Sequence, residues 1–186
     1  MVKFDERAIL DNGAYIYAMR QEIEAIADAV CEKGFDNILF TASGGSLAMM
    51  QPFDYMISVM SGLDVRSQVS AELLGIGNNR LTDRTLVFMA SKSGDTKETV
   101  EAAGYVKEKG AAIISVLGVE GSPLGGLSDY TVVYKDGRPQ EYVLYMLVGR
   151  ILHNKGYFDD YVQFADELKN LPAALVSVGK ASDEKA

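Results

Sequence analysis

The sequence predicts an α/β fold in which a doubly wound parallel sheet of about five strands is flanked by helices. Five short apolar runs recur along the chain, and each gap between them is long enough for a helix. Runs that are apolar throughout are typical of parallel strands buried on both faces. The runs cover residues 37–42, 65–69, 85–90, 112–117 and 130–134.

Helices are predicted on both sides of these strands. Residues 11–33 carry apolar side chains at three- and four-residue spacing, and Gly34 follows where a helix C-cap belongs. The same spacing predicts a helix over residues 46–61. Two further helices are predicted after the fifth strand, over 140–155 and about 158–169.

Length and composition limit the class of protein. The 186 residues, 48% of them hydrophobic, are enough for one globular domain. We assign residues 1–178 to it, with a core of about 20–155, and 179–186 to a tail or linker. The net charge of -8 disfavours nucleic acid and an anionic membrane as partners. No apolar run approaches the length of a membrane helix.

The single cysteine, Cys31, indicates a reducing compartment, because one thiol forms no internal disulfide. Without a CxxC motif or a Cys/His cluster, the sequence predicts no zinc site. The first residues turn acidic within five positions and do not resemble a signal peptide. We therefore predict a cytoplasmic protein without a metal or other cofactor.

Two Ser/Gly-rich segments follow the first and third strands. They are Ser43-Gly44-Gly45-Ser46 and Ser91-Lys92-Ser93-Gly94-Asp95-Thr96. In open parallel sheets, ligands bind beyond the carboxyl ends of the strands, where the strand order reverses. Hydroxyl donors, close backbone approach at glycine and the start of a helix together favour an anion. Lys92 would add a positive charge.

Plain helix capping is the alternative interpretation of these segments. Asp95 and Glu98 fit a capping box in outline. Two such segments after strands that would flank the switch point favour a binding site. Glu72 follows the second strand. Its side chain would either orient a sugar hydroxyl, cap a helix or be solvated. His153, the only histidine, is interpreted as structural, and the glycines at 118, 121, 125 and 126 as loop punctuation.

Residues 91–99 read S-x-S-G-x-T-x-E-T and resemble the phosphosugar-binding loop of sugar isomerase (SIS) domains. The segment 43–46 resembles an earlier loop of the same family. Ser122-Pro123-Leu124, followed by Ser128-Asp129, resembles a later one. The resemblance covers roughly residues 20–155. It is strongest to the two-domain branch that contains fructosamine (fructoselysine-type) 6-phosphate deglycases and the isomerase part of glucosamine-6-phosphate synthase.

The resemblance implies a flavodoxin-like sheet and a phosphorylated sugar, or a fructosamine 6-phosphate, as the ligand. The implied phosphate-binding residues are Ser46, Ser91, Lys92, Ser93, Gly94 and Thr96. The candidate sugar-binding residues are Ser43, Gly44 and Gly45, from the earlier loop, and Glu72, from its place after the second strand. The implied reaction is aldose–ketose isomerisation or cleavage of a fructosamine, which needs a base but no metal or redox cofactor. Family members also imply a homo-oligomer, most simply a homodimer.

One departure from the family pattern limits this assignment. In that branch the catalytic glutamate and histidine lie in a second SIS domain, and no segment of this sequence matches their motif. The catalytic residues therefore stay unassigned, and the chain is either the first half of a longer enzyme or a single-domain binder. The alternatives are a sugar-phosphate-sensing regulatory SIS domain without catalysis of its own, and a flavodoxin-like domain for another ligand.

Overall fold

The computed structural model describes residues 5–134 and 140–183. Its centre is a five-stranded sheet in the order β2-β1-β3-β4-β5, and all four neighbouring pairs are parallel. The strands are β1 (Asn37–Ala42), β2 (Asp64–Val69), β3 (Thr85–Ser91), β4 (Ala112–Leu117) and β5 (Tyr130–Val133). This order confirms the predicted flavodoxin-like, doubly wound sheet.

Helices cover both faces of the sheet. In chain order they are α1 (Glu6–Ala18), α2 (Arg20–Lys33), α3 (Gly45–Met60), α4 (Ser70–Ile76), α5 (Lys97–Glu108), α6 (Pro123–Leu127), α7 (Glu141–Asn154), α8 (Tyr161–Glu167) and α9 (Leu171–Asp183), with a 3-10 turn at Leu168–Asn170. One buried cluster joins the sheet to α1, α2, α3 and α7, and the other joins it to α4, α5 and α6. Apolar residues therefore occupy both sides of each inner strand.

The central strand β3 is buried along its whole length, and β1 and β4 are buried at all but their first residue. The edge strand β2 differs, because only Val65 of its six residues is buried. A strand with a neighbour on one side alone leaves much of its surface to solvent, which explains the polar residues within this run.

The structure differs from the prediction at the first helix. The segment predicted as one helix over 11–33 is divided into α1 and α2 at Met19, and α1 begins earlier, at Glu6. The Met19 N–H donates to the Ile16 carbonyl, so the backbone turns within a single residue. Neither proline nor glycine marks this position. Hydrophobic periodicity therefore continues through the break.

The C-terminal part is more helical than the sequence indicates. Helix α9 runs to Asp183, through part of the segment 179–186 that we assigned to a tail. Its first turn packs on α1 so closely that a Cβ atom at Gly13 would lie 2.1 Å from the Pro172 Cγ atom. Across residues 5–134 and 140–183, no helix is both long and apolar enough to cross a membrane.

Candidate functional site

The two Ser/Gly segments meet at the carboxyl edge of the sheet. Strand order reverses between β1 and β3, the two strands from which these segments emerge. A cavity of about 380 Å³ lies between them, and it is lined by Ser46, Lys92, Ser93, Thr96 and Val119. Residues as far apart in sequence as Ser46 and Val119 therefore share one cavity at the predicted switch point.

The segment after β3 is held in its shape by its own hydroxyl groups. The Gly94 N–H donates to Ser91 Oγ at 2.9 Å, and Ser91 Oγ lies 3.1 Å from Thr96 Oγ1. Ser91 is only 2% exposed and does not line the cavity. Its hydroxyl therefore supports the turn from inside, and Gly94, with a φ of 72°, supplies the left-handed residue that the turn needs.

The loop between β4 and α6 fastens this turn from the other side. The Gly118 N–H donates to the Lys92 carbonyl at 3.1 Å, and the Leu124 N–H donates to the Gly94 carbonyl at 2.9 Å. At Gly118, a Cβ atom would lie 2.4 Å from the Lys92 carbonyl oxygen. The two loops approach so closely that only a glycine fits there.

A second close contact fixes the tip of the turn. A Cβ atom at Gly94 would lie 2.1 Å from Ser122 Oγ and 2.4 Å from Ser122 Cβ. Ser122 itself is 6% exposed. This explains why the S-x-S-G and S-P-L motifs, which the sequence separates by about thirty residues, belong to one structural unit.

Helix capping does not account for the two segments. Gly44 is the N-cap of α3 and Thr96 is the N-cap of α5, and neither helix has a side-chain hydrogen bond at its cap. The capping box between Asp95 and Glu98 is therefore not formed. The first N–H groups of a helix have no partner within the helix, so both helix starts offer donors at this edge of the sheet.

Two cavity hydroxyls are available to a ligand. Within the described ranges, no hydrogen bond engages the hydroxyl of Ser46 or Ser93. The Ser43 hydroxyl differs from them, because its Oγ lies within hydrogen-bonding distance of Thr99 Oγ1 on α5, at 3.1 Å. Ser46 and Ser93 thus line the cavity without such a partner, whereas Thr96 both lines the cavity and contacts Ser91.

The residues predicted to contact the sugar do not line this cavity. Gly44 and Gly45 are exposed beside it, and Ser43 is bonded to α5. Glu72 is exposed on the short helix α4 and is not among the lining residues. Val119, which the sequence analysis did not select, does line the cavity. Its place after β4, the strand next to β3, was the signal that could have identified it.

Carboxylates and imidazoles are absent from the described lining of this cavity, which contains three hydroxyls, one lysine and one valine. His153 lies elsewhere, on α7, with Nδ1 2.9 Å from the Phe158 carbonyl oxygen and its ring against Tyr161. These contacts support its interpretation as a structural residue. Among the described residues, no group of three or more His, Cys, Asp or Glu side chains is placed to hold a metal ion.

A second, larger cavity has a volume of about 820 Å³. It is bounded by the α1–α2 junction, by the loop after β4 and by β5. Its described lining is Tyr15, Ala18, Met19, Gln21, Glu22, Leu117, Glu120, Gly121, Gly125, Gly126, Thr131 and Val133. Sequence analysis missed this cavity, although the glycines after β4 that we interpreted as loop punctuation form part of its wall.

Comparisons with known proteins identify the family of this chain. The sequence pattern of the SIS domain matches residues 34–155. The chain is 30% identical over 161 residues to "Fructosamine deglycase FrlB" of Bacillus subtilis, covering 81% of this chain and 49% of that protein. It is 28% identical over 158 residues to "Glutamine--fructose-6-phosphate aminotransferase [isomerizing]" of Thermotoga maritima, covering 78% of this chain and 26% of that protein.

Solved structures show the same architecture. A proposed phosphosugar isomerase of Bacillus subtilis superposes with a TM-score of 0.82 at 26% identity, covering 94% of this chain and 55% of that one. The chain thus spans about half, or less, of the length of each of these three relatives. The matched region includes both Ser/Gly segments, the cavity between them and the loop that fastens them. From its sequence and its fold, this chain belongs to the SIS domain family.

Proposed function

We propose that this chain is the phosphosugar-binding SIS domain of a sugar-phosphate isomerase or fructosamine 6-phosphate deglycase. One observation carries the proposal: the hydroxyls of Ser46, Ser93 and Thr96 converge with Lys92 on a single cavity at the switch point of the sheet. The names of its relatives, a fructosamine deglycase and an isomerising fructose-6-phosphate aminotransferase, support a sugar phosphate as the ligand class.

A phosphate dianion suits this cavity because the cavity supplies donors and positive potential. Helices α3 and α5 have 16 and 12 residues, and their N-terminal ends both lie at its rim. Each helix start carries a partial positive charge and N–H groups without an intrahelical partner. The hydroxyls add directed donors. Because hydrogen bonds within the chain hold the loop in its shape, little ordering would oppose binding.

Anchoring the phosphate would hold the other end of the sugar in a fixed position. Isomerisation or fructosamine cleavage requires a base near the first carbons of the sugar. The described lining of the phosphate cavity provides no carboxylate or imidazole. We therefore assign to this chain the positioning of the substrate. The acid–base groups would come from a further domain or a second subunit, and the homo-oligomeric state and cytoplasmic location remain predictions.

A sugar-phosphate sensor is the second candidate, and the lack of a carboxylate or imidazole in the described lining of the cavity favours it. The NanR protein of Vibrio vulnificus, solved in complex with ManNAc-6P, shares this fold with a TM-score of 0.66 at 19% identity. Turnover distinguishes the candidates. A sensor would bind the sugar phosphate and release it unchanged, whereas an enzyme, assayed as its complete chain and assembly, would convert it.

Calorimetric titration with fructose 6-phosphate, with fructose as the control, tests the proposal. We expect binding of the phosphate ester alone. Ser93→Ala should weaken it about ten- to a hundredfold, because a hydrogen bond to a charged group contributes about 1.5–3 kcal/mol. Thr96→Ala should do the same, and Thr96→Ser should restore affinity. Ser177→Ala, an exposed hydroxyl on α9, serves as the matched control.

Two results would contradict the proposal. One is equal affinity for fructose and fructose 6-phosphate, which would mean that the cavity does not recognise the phosphate. The other is unchanged affinity in both Ser93→Ala and Thr96→Ala, which would mean that the ester binds elsewhere.

A further inference from the structure

The two segments of the phosphate site are fastened to the fold to different degrees. The turn after β3 is held by an internal hydroxyl, by backbone bonds with the loop after β4 and by packing against Ser122. The first Ser/Gly segment, residues 43–46, has fewer supports. At Gly44 and Gly45, a Cβ atom would meet no atom of another segment within 4 Å. Packing therefore does not hold the tip that leads into Ser46, which lines the cavity.

One hydrogen bond ties the first segment to the helix on the other side of the cavity. Ser43 Oγ lies 3.1 Å from Thr99 Oγ1, and the two residues are 56 positions apart in sequence. Ser43 is half-buried and Thr99 is only 1% exposed. Among residues 5–134 and 140–183, this is the one side-chain hydrogen bond that the first segment forms. Because Thr99 is shielded from water, the contact is stronger than one between exposed hydroxyls.

Thr99 is in turn connected to the ligand-facing part of the turn after β3. It is the third residue of α5, and its N–H donates to the Thr96 carbonyl at 3.0 Å. Thr96 lines the cavity and contacts Ser91 Oγ, the group that shapes the turn. A β-branched side chain has few rotamers on a helix, so a buried threonine holds its hydroxyl in a fixed direction. The contact with Ser43 therefore sets the spacing between the two segments.

We propose that Thr99 is a positioning residue of the phosphate site: through Ser43, it holds Ser46 opposite the donors of the turn after β3. Thr99 is not among the described lining residues, so it acts without touching the ligand. Without this contact, binding would have to order the first segment, and that cost would lower the affinity. The inference rests on the proposed function, because it requires a phosphate that contacts both segments. It assigns Ser43, a candidate sugar-binding residue, to holding the loop.

Calorimetric titration of variants with fructose 6-phosphate tests this role. Thr99→Val keeps the shape of the side chain but removes its hydroxyl, and we expect roughly two- to tenfold weaker binding, the range for one hydrogen bond. Thr99→Ser keeps a hydroxyl and should restore most of the affinity. Ser43→Ala, at a half-buried position, removes the other partner and should weaken binding to a similar extent. The double variant should lose little more than either single variant, because both changes remove the same contact.

A second buried hydroxyl pair provides the matched control for loss of stability. Thr41 Oγ1 on β1 lies 3.3 Å from Ser70 Oγ at the start of α4, and both residues are fully buried. Neither is among the described lining residues of the phosphate cavity. Thr41→Val should lower the midpoint of urea unfolding, as Thr99→Val should, but leave the affinity for fructose 6-phosphate unchanged. A merely structural role for Thr99 predicts the same affinity in both variants.

A further pair of measurements shows through which segment Thr99 acts. In the Thr99→Val background, Ser46→Ala should weaken binding by a smaller factor than it does in the wild-type chain, because Ser46 is no longer held in place. Ser93→Ala should weaken binding by the same factor in both backgrounds, since other contacts hold its turn. The reverse pattern would contradict a role through the first segment.

The outcomes distinguish failure of this inference from failure of the proposed function. Wild-type affinity in both Thr99→Val and Ser43→Ala would overturn the inference and leave the function standing. Equal losses of affinity in Thr99→Val and Thr41→Val, or no recovery in Thr99→Ser, would overturn it as well. No binding of fructose 6-phosphate by the wild-type chain would overturn the proposed function, and the inference with it.

Discussion

Replacing Gly94 by alanine tests how the phosphate-binding turn is built. Two separate penalties apply to this substitution. An alanine at φ 72° is in the left-handed region, which costs about 1–2 kcal/mol. Its Cβ atom would also overlap Ser122, at 2.1 Å from Oγ. Overpacking of this kind costs about 1–3 kcal/mol. We expect the free energy of unfolding to fall by about 2–5 kcal/mol in total.

Urea unfolding of three variants separates these penalties. Gly94→Ala combined with Ser122→Gly removes the overlap but keeps the backbone strain, so about 1–3 kcal/mol should return. Gly104→Ala is the control: this glycine lies inside α5, a Cβ atom there meets no other atom within 4 Å, and alanine should stabilise the helix by about 0.5–1 kcal/mol. Wild-type stability in Gly94→Ala, or no recovery in the double variant, would refute the packing argument.

Three further predictions concern other contacts. Gly118→Ala would force a Cβ atom to within 2.4 Å of the Lys92 carbonyl oxygen, so it should lower both the unfolding free energy, by about 1–3 kcal/mol, and the calorimetric affinity for fructose 6-phosphate. Hydrogen bonds from Arg150 hold the pKa of Asp28 below its ordinary value of 3.8. Asp28→Asn should therefore cost less than about 1 kcal/mol at pH 7, because the Asp28 side chain is 46% exposed, and the difference from wild type should shrink in urea titrations as the pH falls below 3.8. Tyr161→Phe removes a hydroxyl that lies 2.9 Å from a glutamate of α2 and 3.1 Å from a carbonyl of α7, and thermal unfolding should report a loss of about 1–2 kcal/mol.

The inner strands could be predicted from the sequence because a strand buried on both faces needs apolar residues at successive positions. The residues between the two ends of β3, Leu86 to Ala90, are apolar in sequence, and the whole strand is buried in the structure. The position of the site was predictable for a related reason. Ser/Gly segments that follow β1 and β3 meet wherever those two strands are neighbours at the switch point, as the strand order confirms.

The direction of individual hydroxyls could not be predicted in the same way. Ser91 and Ser93 are alternate residues of one motif, yet Ser91 turns inward to bond Gly94 while Ser93 lines the cavity. That difference depends on where strand β3 ends and the turn begins. Hydrogen bonds from the loop between β4 and α6, which is distant in sequence, fix this point. No local sequence pattern predicts them.

The larger cavity could not be predicted from local sequence patterns, for a different reason. Its walls come from the α1–α2 junction and from the chain between Leu117 and Val133, which are about a hundred residues apart. The break at Met19 shapes one wall, and neither proline nor glycine marks it in the sequence. A cavity made by tertiary packing of ordinary residues leaves no motif.

The neighbour relation of β1 and β3 also has a consequence for synthesis of the chain. Asn37 pairs with Thr85. After Asn37 is synthesised, 48 more residues must therefore be added before β3 can begin to pair with β1. At 5–20 residues per second, that wait lasts roughly two to ten seconds on the ribosome. During it, the apolar β1 strand has an open edge that other nascent chains can pair with. The strand pairing that brings the two halves of the ligand site together is thus also the step most exposed to aggregation.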